Sequence, residues 1–212
     1  MSVVPQPELD ACTSGVGEMV RLAGAALEHA TAALLQQDPP PQESMAACGR
    51  ALHTLNHALE DHAATVLAAR GRLGTGQLPM VLVAVHVNAE VEALGTLARQ
   101  LGEIAVDRFS RPAFPTEVSV ALRKMKGVCL DAVAQAAEVM AFPSSRAESD
   151  RQAKIAELRR ELYRDLLSGG NAVDIASASE ASLAARYYEL GVAHAAAVIE
   201  HGALLTDYPA PG

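Results

Sequence analysis

Residues 91–103 read VEALGTLARQLGE, and residues 188–200 read YELGVAHAAAVIE. Aligned at an offset of 97, Glu92 falls on Glu189, Ala98 on Ala195 and Glu103 on Glu200. In the first stretch Val91, Leu94, Leu97, Ala98, Leu101, Ile104 and Ala105 recur at three- and four-residue steps. That is the period of a helix with one apolar face. A related pattern near the end of each half points to an internal duplication.

The 11 prolines divide the rest of the chain. A proline inside a helix costs about 3 kcal/mol, so long helices belong in the proline-free spans. These are 8–38, 42–78, 80–111, 116–142 and 144–208, the last broken by SGGN at 168–171. Apolar stripes run through the first span at Val16, Met19, Val20, Ala23, Ala26, Leu27, Ala30 and Leu34, and through the fifth segment at Ile155, Leu158, Leu162 and Leu166. Ser145 and Glu148 have the spacing of a capping box at the start of that fifth segment. The glycine-rich GRLGTG at 71–76 reads as a turn between helices. Pro112 and Pro115 lie near the midpoint, with three segments on either side. These spacings predict an all-α fold of six long helices, arranged as two tandem three-helix bundles. The first unit spans 1–111 and the second 112–212.

Composition agrees. Of 212 residues 42 are Ala and 25 are Leu, whereas only 3% are aromatic. Ala and Leu lose little side-chain freedom in a helix, and a sheet protein would want more aromatic and β-branched residues. Small side chains on the stripes let helix axes approach closely. The net charge of −8 argues against nucleic acid and against an anionic membrane surface. Uninterrupted apolar runs such as residues 81–85 are too short to cross a bilayer. The opening MSVVPQPELD lacks the basic and apolar regions of a secretory signal, so a cytoplasmic location is expected. Cys12, Cys48 and Cys129 form no CxxC motif and no disulfide framework, and read as reduced thiols.

The stretch ARYYELGVAHAAAVIE at 185–200 resembles the signature of the PhoU family, and AEVEALGTLARQLGEIA at 89–105 resembles the same signature in the first half. The opening 8–38 is similar to the family's first helix, particularly in actinobacterial members. The resemblance covers most of the chain. It implies two three-helix bundles and a cytoplasmic, non-enzymatic adaptor that represses signalling when phosphate is ample. The implied partners are the ATPase subunit of a phosphate ABC transporter and a PhoR-like sensor histidine kinase, with a homodimer as a further expectation. Carried over residue by residue, the binding positions are Glu92 and, in the second signature, Glu189, Arg186, Tyr187 and His194.

Family members also hold iron or zinc in clusters ligated by an E-x-x-x-D pattern on the third helix of each unit. Carboxylates four apart share a helix face and make an oxygen-rich site. Here the glutamates stand but the Asp positions are Thr96 and Ala193, and the arginines that follow the glutamates in the family are Ala93 and Leu190. On the preceding helix of the second unit the expected acids are Ala153 and Ala156, with Glu157 nearby. No cofactor is therefore expected, and Glu92 and Glu189 read as vestigial ligands.

The alternative metal set is His53, His57 and Glu60, with Asp61, on one helix face, and His86 with Glu90 forms a second i, i+4 pair. If either the acidic or the histidine face is occupied, iron or zinc is the metal. A polar face in water is the plainer account of both. A di-iron bundle enzyme would need Glu-x-x-His, which is absent, and no phosphate-binding loop or G-x-S-x-G motif is present. The basic runs at Arg123, Lys124 and Lys126 and at Arg159, Arg160 and Arg164 suit an acidic partner, although a solvated face explains them more simply. Arg186, Tyr187 and Tyr188 are residue types favoured at interface centres. For Tyr188, packing in a core short of aromatics is an equal reading.

Overall fold

The computed structural model describes residues 6–36, 42–68, 77–142, 150–167 and 173–204. Six helices account for nearly all of them: α1 (Gln6–Gln36), α2 (Gln42–Ala68), α3 (Gln77–Arg108), α4 (Thr116–Ala141), α5 (Arg151–Leu167) and α6 (Ile175–Ala203). No strand occurs among the described residues. Two helices begin slightly ahead of the proline-free spans, because Pro7 and Pro79 sit in their first turns. The N–H groups there have no partner within the helix, so proline removes nothing. The fifth helix is shorter than its neighbours, at 17 residues. The expected capping box at Ser145, the SGGN break and the turn at 71–76 all fall outside the described residues.

The pairing of helices repeats. α1 packs on α3 and on α2, and α2 touches α3; in the second half α4 packs on α6 and α5, and α5 touches α6. The trios meet along α1–α4 and α3–α6. One apolar cluster runs through all six helices, with its mass in α1, α3, α4 and α6. α4 buries twelve residues, whereas α5 buries only Ile155 and Leu162, so α5 is a flanking helix. α2 flanks the other side, burying Leu59 and Ala63.

Small residues set the closest approaches. A methyl group on Gly191 of α6 would stand 2.6 Å from the Cys129 sulfur and 3.9 Å from Leu94, and one on Gly24 of α1 would stand 3.1 Å from Val133. Of the three cysteines, Cys129 is buried and Cys48 is half-buried, and neither is in a disulfide.

The criterion of uninterrupted apolar runs underrates α3. Among the described residues it is the one helix long and apolar enough, over Val81–Arg108, to cross a bilayer by length and composition. Half of that stretch is instead buried inside the bundle. Its apolar length serves contact with α1, α2 and α6.

The turn between the trios is pinned. The Arg108 side chain is 4% exposed, and its guanidinium donates to Ser177 Oγ at 3.1 Å, Glu180 Oε2 at 2.5 Å and the Pro112 carbonyl at 2.8 Å. It also lies 3.5 Å above the Phe114 ring. Arg111 closes on the other Glu180 oxygen at 2.6 Å. Just before α6, the Asp174 carboxylate accepts from the Ser177 hydroxyl and backbone N–H, which lowers its pKa and satisfies an orphan donor of the first turn.

Candidate functional site

Glu92 on α3 and Glu189 on α6 each project toward the second helix of their own trio, and the two surroundings differ. Glu92 is exposed and accepts a hydrogen bond from the Asn56 amide of α2. The Asn56 carbonyl oxygen in turn accepts from the buried Asn88 amide, and the Asn88 oxygen has no partner. Glu189 is half-buried, and its Oε2 accepts from Arg159 of α5 at 2.5 Å and from Arg186 at 2.6 Å. Arg159 also faces the Tyr163 ring at 5.9 Å. The solvated-face reading of the 159–164 run therefore fails at Arg159, which is half-buried and paired, but describes Arg160 and Arg164, which are exposed. Arg186, three residues before Glu189, is legible from helical spacing, whereas Arg159, one helix away, is not.

Beside Glu92 the surface opens into a cavity of about 560 Å³ between α1, α2 and α3. Met19, Leu52 and Val91 supply apolar wall, Gly95 leaves room, and Asn56, Glu92 and Thr96 line it with polar groups. His53 and Arg99 also reach it; Arg99 is held by Glu103 at 2.6 Å.

The other singled-out residues are dispersed. The His53 and His57 rings meet edge-on with centroids 4.8 Å apart, and His57 Nδ1 is 3.7 Å from Glu60 Oε2. All three are exposed, as is Asp61. His194 Nδ1 bonds Glu90 Oε2 at 2.7 Å across the α3–α6 seam, and the His86 and His201 rings lie 5.2 Å apart along the same seam. Tyr188 is in the core: its hydroxyl, 1% exposed as a residue, donates to Thr31 Oγ1 at 3.1 Å, and burial raises its pKa. Tyr187 is half-buried against the same core, and Arg186 is exposed.

Among the described residues no three His, Cys, Asp or Glu side chains gather as metal ligands. The donors present do not fit a carboxylate-bridged cluster. A cation at Glu189 would have to displace two guanidiniums from one oxygen, and Thr96 and Ala193 bring no carboxylate.

The class is thus a six-helix bundle of two trios with the same helix pairing, in which each third helix turns one glutamate toward its flanking helix. No family model matches the chain. It is 30% identical over 194 residues to the phosphate-specific transport system accessory protein PhoU homolog 2 of Mycobacterium tuberculosis and of Mycobacterium bovis, over 90% of this chain and 91% of theirs. PhoU homolog 1 of Mycobacterium leprae is 27% identical over 90% of this chain and 87% of its own. The crystal structure of PhoU from Pseudomonas aeruginosa superposes with a TM-score of 0.73, covering 95% of this chain and 98% of that one, at 17% identity, which speaks to the fold alone. The chain belongs to the PhoU family.

Proposed function

We propose that this chain is a regulatory adaptor of phosphate homeostasis, working in the cytoplasm and restraining phosphate transport and two-component signalling through protein–protein contact. Its partners are the ATPase subunit of a phosphate ABC transporter and a PhoR-like sensor kinase. The observation that carries the reading is 30% identity, across 90% of the chain, to mycobacterial accessory proteins of phosphate-specific transport. A bundle with one continuous core suits an adaptor, since rigid faces lose little conformational freedom on docking. The reading involves no catalysis and no metal cluster, in keeping with the arginine clamp on Glu189.

Deletion of the gene tests it. Phosphate-starvation genes are expected to rise in phosphate-rich medium and to be silenced again by the wild-type chain. Unchanged expression, in a strain with no second copy of the family, would overturn the reading. Elemental analysis of protein purified without chelators addresses the metal. Two or more tightly held transition-metal ions per chain would sink the metal-independent form.

A further inference from the structure

We propose that Glu92 and the cavity beside it receive an arginine side chain presented by a partner protein, reproducing from outside the contact that Arg159 makes with Glu189 inside the second half. The template is internal to the fold. Glu92 and Glu189 stand at the same place in the repeat, on third helices, each facing the flanking helix of its trio. Where the flanking helix is α5, it supplies a guanidinium, with Tyr163 beside it. Where it is α2, it supplies the shorter, neutral Asn56. The first carboxylate therefore keeps its charge toward solvent, and a cavity of about 560 Å³ lies alongside.

The lining chooses the ligand. Leu52 and Val91 offer an apolar wall for the methylene stem of arginine, and Gly95 keeps the space clear. Glu92 presents a carboxylate, which a planar guanidinium bonds through two parallel N–H groups, and Thr96 adds an oxygen acceptor. Arg99, which also lines the cavity, pairs with Glu103. His53 also lines the cavity. A metal ion would find one carboxylate here, fewer than a hard cation requires.

The inference rests on the adaptor reading for its partner but not for its chemistry, so a binding experiment separates the two. The probe is Nα-benzoyl-arginine amide, titrated into the full chain and followed by backbone amide chemical shifts. Its citrulline counterpart has the same shape without the charge. The arginine compound is expected to saturate, moving resonances of α2 and α3 and leaving α5 and α6 still, with the citrulline compound bound at least about tenfold more weakly. Glu92→Gln should abolish the effect. Asn56→Arg, which supplies a guanidinium from α2 as α5 does from Arg159, should block it as well. A helical peptide bearing one arginine among leucines should bind at least about tenfold more tightly than the free compound, as a partner segment would. No saturable shift at millimolar probe overturns the proposal. So does equal binding of citrulline, or indifference to Glu92→Gln in a variant whose helicity and melting match wild type. A free compound that matches the peptide would assign the site to a small guanidine and end the partner claim. None of these results bears on whether deletion derepresses phosphate genes.

Discussion

Glu92 and Glu189 hold equivalent positions in two copies of one three-helix pattern, yet the first is exposed and held by an amide while the second is enclosed by two arginines. The difference lies in the flanking helices. α2 and α5 flank the shared core and bury few residues in it, so most of their positions change at little packing cost and each trio can carry a different neighbour for its glutamate. The central helices diverge where they touch each other instead. At the same offset Leu94 of α3 corresponds to Gly191 of α6, and the two lie close together across the seam, a large residue filling the space that a missing side chain leaves.

That seam gives the largest expected effect. Leu94→Ala empties a fully buried site between helices that are already in close contact, and should cost about 4 kcal/mol in urea unfolding. The reciprocal change, Gly191→Ala, places a methyl group 2.6 Å from the Cys129 sulfur and should cost about 1–3 kcal/mol, despite the gain in helix propensity. Adding Cys129→Ala should recover much of that loss. If Gly191→Ala stabilises the protein by itself, α4 and α6 are not in the close contact described.

The joint between the halves is nearly as sensitive. Glu180→Ala leaves the buried Arg108 without its ion pair and should cost about 3 kcal/mol. Arg99→Ala breaks a pair of similar length in water, and should change stability by less than about 0.5 kcal/mol. Val83 stands 97 residues before Glu180, so the repeat does not carry this carboxylate into the first trio.

These cases also mark what could be read in the sequence. Helix number, order and approximate limits were legible because prolines and apolar period act within a few residues of the chain. Pro112 and Pro115 placed the turn between trios directly. What escaped was contact between helices far apart in sequence. Arg108 reads as one more charge near a helix end, and only the fold shows it facing Ser177 and Glu180. Arg159 reads as part of a solvated run until α5 lies against α6. Tyr188, one of few aromatics, had two readings, and its bond to Thr31 of α1 decides for packing. The glutamates themselves were legible through the repeat, but their surroundings depended on α2 and α5, which the repeat does not constrain.

A smaller effect tests the opening contrast directly. Glu189→Gln removes the charge that two guanidiniums share in a partly buried place, and should cost about 1–2 kcal/mol. Glu92→Gln exchanges an exposed carboxylate for an amide and should stay within about 0.5 kcal/mol. Equal losses in the two variants would remove the asymmetry on which the contrast rests.

The smallest effect at neutral pH belongs to Cys129, and it grows in alkali. Burial pushes its thiol from an ordinary value of 9.0 up to about 12. The unfolded chain therefore releases this proton near pH 9 while the folded chain keeps it. Stability is unaffected below the ordinary thiol pKa and falls as pH rises above it, by at most about 1.4 kcal/mol per pH unit from this one group, until the folded thiol also ionises. Tyr188, likewise raised by burial, adds its own loss above the ordinary tyrosine value of 10.0. Unfolding midpoints at pH 8, 9 and 10 should fall less steeply in Cys129→Ala than in wild type. In a background lacking Cys12, a thiol reagent at pH 8 should label the half-buried Cys48 well before Cys129. Rapid labelling of both would mean that the α4–α6 contact opens readily, and the tight packing inferred at Gly191 would fail with it.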